Sequence, residues 1–125
     1  HKKCADIAHK YGKAYLLHAC GNLESVMDDL IDFVKVDSKH SFEDTIMEVT
    51  EAYELYHKKI SIIGGIDVDF LCRNDEKAIR ERVKKTLDIC MPNGGYCLGT
   101  GNTVANYMPV DNYLTMVDER IKYQR

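Results

Sequence analysis

Hydrophobic and polar positions along the chain switch repeatedly between two periods. Residues 2 to 11, KKCADIAHKY, read as the end of a helix closed by Gly12, a residue suited to a left-handed C-terminal position. KAYLLHAC is then a short apolar run without helical period, the pattern of a buried strand. Asn22 suits a helix cap, and LESVMDDLIDF sets Leu23, Val26, Leu30 and Phe33 at helical spacing. FVKVDS, residues 33 to 38, is short and β-branched and predicts a second strand. Ser41 with Asp44 three residues on resembles a capping box, and FEDTIMEVTEAYELYHKK predicts a long amphipathic helix with basic residues at its end. ISIIGGIDV is the clearest strand, stopped by Gly64-Gly65. Asn74 opens the helix DEKAIRERVKKTLDICM, and Pro92-Asn93-Gly94-Gly95 ends it. GGYCLGTGN predicts a strand running into a glycine-rich loop, after which Pro109 and Asp111 introduce the helix NYLTMVDERIKYQR.

The order is a helix followed by four strand-helix units, without linker or low-complexity tract. Strands alternating with helices imply right-handed βαβ units and a parallel sheet. A β/α barrel needs eight such units and about 250 residues, so four units are half of one. Periodicity alone leaves a small open doubly wound domain equally available. A half-barrel would carry two bare sheet edges and calls for another half or a second copy of itself.

At 125 residues the chain predicts one domain, residues 1–125, with a real core. A net charge of -3 gives no electrostatic reason to expect nucleic acid or an anionic membrane. No apolar stretch approaches the ~20 residues of a membrane span, and the start lacks a signal-peptide core, so the expected location is the cytoplasm. Five cysteines without repeating spacing argue for reduced thiols rather than a disulfide framework. The first residue is His rather than Met, which is expected of a processed or excised piece of a longer polypeptide.

Functional groups in parallel α/β folds collect at the carboxyl ends of strands. The predicted ends carry His18, Cys20 and Asn22, then Asp37 and Lys39, then Asp67, then Asn102. Residues i and i+2 of a strand point to one side, so His18 and Cys20 face the same way and suit a shared Zn²⁺. An H-x-C pair is also what a core histidine beside a buried thiol looks like. Asp37 is a candidate carboxylate ligand or a helix-entry residue; Cys97 is a candidate ligand or a small buried hydrophobe. Asp67 is a loop cap or a substrate contact. GTGNT, residues 99 to 103, offers backbone N–H groups but lacks the GxGxxG nucleotide pattern. Cys4, Cys72 and Cys90 read as structural.

Taken together, HACGNLESVMDDLIDF, GGIDVDFL with the charged helix after it, and GGYCLGTGNTVANYMPVDNYLTMVD resemble the carboxyl-terminal half of the uroporphyrinogen decarboxylase superfamily. The resemblance runs from about residue 1 to about residue 120. It implies α/β architecture, specifically strands five to eight of a (β/α)₈ TIM barrel. The superfamily includes the decarboxylase of haem synthesis, the methylcobamide:coenzyme M methyltransferases and, more distantly, cobalamin-independent methionine synthase.

In the zinc methyltransferase branch a His-x-Cys after strand five binds Zn²⁺, which the resemblance carries onto His18 and Cys20. The metal there holds an acceptor thiol as a thiolate for attack on a cobalt-bound methyl group. The acidic ligand that methionine synthase has after strand six falls near Asp37. Both methyl-transferring branches use a cysteine in the loop after strand eight, and counting back from Pro109 that place is Asn102, a departure. The decarboxylase branch has a histidine at the same place, so Asn102 departs from that pattern too. The resemblance therefore implies a half of a corrinoid-dependent methyltransferase. His18, Cys20 and Asp37 are its expected zinc ligands, and Asn22, Asp67 and Asn102 its mouth residues. Its expected partners are a corrinoid protein and a small thiol or folate acceptor. A tetrapyrrole decarboxylase without metal, and a non-catalytic half-barrel module, are the other two readings.

Overall fold

The computed structural model describes residues 1–123 of the chain. Helix α1 spans Lys2–Lys10 and leads into strand β1, Leu16–His18. A 3₁₀ turn at Glu24–Val26 and a wide π-helical turn at Asp29–Val34 connect to β2, Ser38–His40. Then follow α2 (Val49–Tyr56), β3 (Ser61–Ile63), α3 (Val68–Arg73), α4 (Glu76–Cys90), β4 (Tyr96–Cys97) and α5 (Val110–Lys122). The strands form one parallel sheet in the order β1-β2-β3-β4. No helix among the described residues is long and apolar enough to cross a membrane.

Strand alternation divides the sheet into two unlike faces. Leu17 and Ile62 point toward the helices and are 4% and 0% exposed, whereas Leu16 and His18 point the other way and are exposed. One apolar cluster beneath β1 to β3 joins Leu17, Ile31, Val34, Val49, Tyr53 and Ile62. A second joins Ile66, Leu71, Ile79, Val83, Leu87 and Met116 around the last three helices. The other face of the sheet carries no helix, and the side chains of Leu16, His18 and Cys97 stand open on it.

Three elements differ from the sequence pattern. The segment after Asn22 buries Met27, Ile31 and Val34, leaving Val26 41% and Phe33 64% exposed. Both sets obey helical spacing; Val34, one step beyond the predicted helix, decides for the frame that reaches the core. The second strand is Ser38–His40 rather than residues 33 to 38, because Lys35 turns left-handed at φ 63° and the ladder begins only where Ser38 meets Leu16. The predicted helix over 42–59 is confined to α2. Asp44 is held instead as a loop clamp, its N–H donating to Asp67 Oδ2 at 2.9 Å and its carboxylate pairing with Arg82 at 2.7 Å. Burial pushes the Asp44 carboxyl upward, and the Arg82 hydrogen bond and charge oppose that shift. The last helix begins at Val110 with Pro109 as cap; its predicted end at Gln124 and Arg125 lies outside the described residues.

The cysteines divide differently from expectation as well. Cys90 is buried, and loss of hydration pushes its thiol up to about 12. Cys4 is exposed on α1 and is not part of the core, and Cys97 faces the open wall rather than packing as a buried hydrophobe.

The turn Gly64-Gly65 ends β3 at φ 82° and 99°, values that L side chains resist. A Cβ on Gly65 would lie 2.2 Å from the Val49 side chain, so this glycine is what lets α2 sit against the end of β3. Gly65→Ala combines a left-handed penalty with overpacking and is expected to cost about 2 to 5 kcal/mol. Chemical denaturation checks this as a lower midpoint with an unchanged slope; an unchanged midpoint would contradict the packing account.

Candidate functional site

The parallel register builds the site. His18 pairs directly with His40 across β1 and β2, so the two imidazoles share the inner face at the carboxyl end of the sheet. His18 Nδ1 lies 2.7 Å from His40 Nδ1, with ring centroids 4.8 Å apart. His40 Nε2 donates to the Thr100 carbonyl at 3.0 Å, which ties the pair to the glycine-rich loop after β4. The Gly64 backbone forms the wall behind His40: a Cβ there would lie 2.7 Å from the ring.

Cys20, two residues beyond His18, is the point where these elements converge. Its Sγ lies 3.5 Å from His18 Nε2, receives the Ser41 hydroxyl at 3.3 Å, and receives the Asn102 amide Nδ2–H at 3.4 Å. Ser41 holds φ 83°, a conformation that costs a non-glycine residue of order 1–3 kcal/mol and is characteristic of functional loops. The Lys39 ammonium fixes that turn, donating to the Ser41 carbonyl at 2.6 Å from 4.1 Å above the Phe42 ring. Burial pulls the Lys39 pKa down, while the nearby charges of Cys20 and Glu43 pull it back up.

The site residues expected from sequence therefore fall into two groups. His18, Cys20 and Asn102 meet, although they come from positions 82 and 84 residues apart in the chain. Asn22 stands one step outside: its Oδ1 accepts the Glu24 N–H at 2.9 Å and so caps the 3₁₀ turn. Asp67 is buried at the sheet end, but both oxygens are engaged by backbone N–H groups, those of Asp69 (2.7 Å), Phe70 (3.1 Å) and Asp44 (2.9 Å). It caps α3 and clamps the loop after β2, which is the work of a structural carboxylate.

Asp37 does not belong to the site. The strand after it starts later than the sequence pattern indicates, so Asp37 precedes β2 and lies at the amino end of the sheet, the end opposite His18. There its Oδ2 accepts the Tyr15 N–H at 2.6 Å and meets His9 Nε2 at 2.7 Å. His40 takes the place beside His18 that Asp37 was expected to hold. The signal for it is the i+3 offset from Asp37, legible only once the register is known.

A metal is tested by this donor set. Nitrogen and sulfur ligands of one tetrahedral zinc stand about 3.6 Å apart, given bonds of about 2.1 and 2.3 Å. The His18 Nε2 to Cys20 Sγ distance of 3.5 Å fits that separation. The other two groups on the sulfur, a hydroxyl and an amide, are not customary zinc ligands. Among the described residues no group of three or more His, Cys, Asp or Glu side chains is arranged to hold a metal. The chain thus offers a fitting pair and not a full set.

Beside Asn102 a cleft of about 820 Å³ opens at the same end of the sheet, with Phe42, Asp67, Phe70, Arg73, Asn102 and Tyr107 among its walls.

The Asp37 position generates a two-part prediction. The Tyr15 N–H, then the His9 hydrogen bond, hold the Asp37 carboxyl below its usual range despite the opposing effect of burial. A depressed carboxyl stabilises the fold above its unfolded pKa of about 3.9 and loses that contribution as pH falls through the lower folded value. Asp37→Asn is therefore expected to lower stability at neutral pH, with the gap to the unsubstituted protein closing below about pH 4. Any metal the full-length protein holds should be unaffected by the substitution; a proportional loss would return Asp37 to the candidate ligands.

The model of the uroporphyrinogen decarboxylase (URO-D) family matches residues 1–123. No curated protein sequence matches the chain. Among solved structures, a methyltransferase from Methanosarcina mazei superposes with a TM-score of 0.70 at 20% sequence identity. The alignment covers 97% of this chain and 35% of that one, so the chain spans about a third of the length of its structural relative. The fold is that of the carboxyl-terminal half of a (β/α)₈ barrel, with the present strands as the last four. The chain belongs to the uroporphyrinogen decarboxylase family.

Proposed function

We propose that the protein is a corrinoid-dependent methyltransferase of this family, moving a methyl group between a methylcobamide carried on a partner protein and a thiol or similar acceptor in the cytoplasm. The observation that carries the reading is the convergence on Cys20: His18, Ser41 and Asn102, from three different strand ends, all face one sulfur. A decarboxylase that uses no metal needs no such arrangement around a cysteine.

In this reading His18 Nε2 and Cys20 Sγ hold zinc, with the remaining positions filled from outside the described residues or by the acceptor itself. When bound, zinc lowers the pKa of a coordinated thiol and keeps it as a nucleophilic thiolate. The chain's own residues prepare the place. Ser41 and Asn102 donate to the sulfur and restrict its rotamer. The strained turn at Ser41, fixed by Lys39, keeps the hydroxyl aimed. The cleft beside Asn102 receives the reacting end of the substrate, and Phe42, Phe70 and Tyr107 give it aromatic walls. The inner face of the sheet stays open in this half, so the other half of the barrel, or a second copy, completes the chamber.

The family match favours a second reading, a tetrapyrrole decarboxylase without metal, in which His18 is simply a mouth residue. The residue at the loop after β4 is Asn102, where the resemblance places a histidine for that chemistry.

Elemental analysis of full-length protein prepared without chelator separates the readings. About one zinc per chain, lost together with methyl transfer in Cys20→Ser, is the expected result. Metal and methyl transfer both retained in Cys20→Ser would sink the zinc methyltransferase. Carbon dioxide release from uroporphyrinogen by a metal-free protein would establish the decarboxylase.

A further inference from the structure

We propose that His40 is a positioning residue that sets the tautomer of His18 and so aims the bare Nε2 of His18 at Cys20. The argument starts from an atom whose role is unambiguous. The Thr100 carbonyl only accepts, so His40 Nε2, 3.0 Å away, carries a hydrogen. With His40 neutral, its Nδ1 then has a lone pair and no hydrogen. That nitrogen lies 2.7 Å from His18 Nδ1, a contact that requires one hydrogen between the two, and His18 supplies it. A neutral His18 protonated at Nδ1 is bare at Nε2, the atom 3.5 Å from Cys20 Sγ.

A single backbone carbonyl in the loop after β4 thus fixes, through two rings, which nitrogen of His18 is presented to the sulfur. Free histidine prefers the opposite, Nε2-protonated form, so the wire reverses an intrinsic preference. Three features keep it straight. The β1-β2 register holds the rings side by side, their 31° tilt brings the two Nδ1 atoms together, and the Gly64 backbone blocks the far side of His40. Ligating histidines are usually oriented by a carboxylate, carbonyl or water on the other nitrogen. Here a second histidine does it, and relays the carbonyl from another strand end.

The tautomer follows from the hydrogen bonds and needs no metal; only its benefit to metal holding rests on the proposed function. The test is therefore run first on full-length protein stripped of metal by a chelator, with ¹⁵N-labelled histidine and long-range ¹H-¹⁵N correlation at a pH where both rings are neutral. His18→Gln identifies the His18 signals. The expected spectrum shows His18 protonated at Nδ1 and His40 at Nε2; a His18 protonated at Nε2 overturns the proposal without any variant of His40. His40→Leu is then expected to shift His18 to the Nε2-protonated form, whereas His40→Asn, whose side-chain oxygen takes the place of Nδ1, preserves the native form. An unshifted tautomer in folded His40→Leu would also overturn it. Zinc titration of the same proteins reads the consequence: a 10- to 100-fold weaker affinity in His40→Leu, largely restored in His40→Asn. A native tautomer in a protein that takes up no zinc at all would fail the metal reading and leave the positioning role standing.

Discussion

The pairing of β1 with β2 is the constraint on which the site depends, because a parallel ladder has no adjustable stagger once one residue is matched. Leu16 opposite Ser38 puts His18 opposite His40, and a slip of one residue would turn every side chain of β2 to the other face. Burial fixes the choice: Leu17 and Ile62 must reach the helices, so the histidines must face the barrel interior. The same register sends Asp37 to the amino end, where Tyr15 and His9 engage it. Packing on one side of the sheet thus determines chemistry on the other.

Around this ladder, the loops hold the site by backbone geometry more than by side-chain bulk. Asp67 gathers three N–H groups, two from the first turn of α3 and one from the loop after β2, and Lys39 holds the carbonyl of Ser41. Gly64 lets the chain pass close behind His40. These contacts lie at the carboxyl end of the sheet. Cys20 consequently has three directed neighbours before any ligand arrives, the condition under which a reactive group needs little reorganisation.

The parts legible in the sequence were those carried by contiguous pattern. Helix α4 follows from the breaks around it, Asn74 before and Pro92 to Gly95 after, although its cap is Asp75 and not Asn74; β3 follows from its apolar run and glycine stop, and the pairing of His18 with Cys20 from the strand period alone. What the pattern leaves open is set by partners distant in the chain. FVKVDS has the propensity of a strand, yet Val34 is drawn into the core from a π-helical turn and the strand begins where Leu16 waits for it. Ser41 and Asp44 have capping-box spacing, yet Arg82 and Asp67, 38 and 23 residues away, hold Asp44 in a loop. His40 was invisible because a lone histidine becomes a site residue only through the register of its neighbour.

The site is built from short side chains, with the charges set apart from its sulfur. The groups that touch the Cys20 sulfur, from His18, Ser41 and Asn102, are short enough to be fixed by their own backbones. Charged side chains stand further out, as in the Arg82 and Asp44 pair, or are turned into the loops, as with Lys39 and Asp67. A buried charge needs its partner in place to be tolerated, and here Asp44 has Arg82 while Asp67 has three backbone N–H groups. The hydrogen-bonding groups satisfy one another along the sheet end, and the sulfur they surround lies on the side of the sheet that the other strands of a complete barrel enclose.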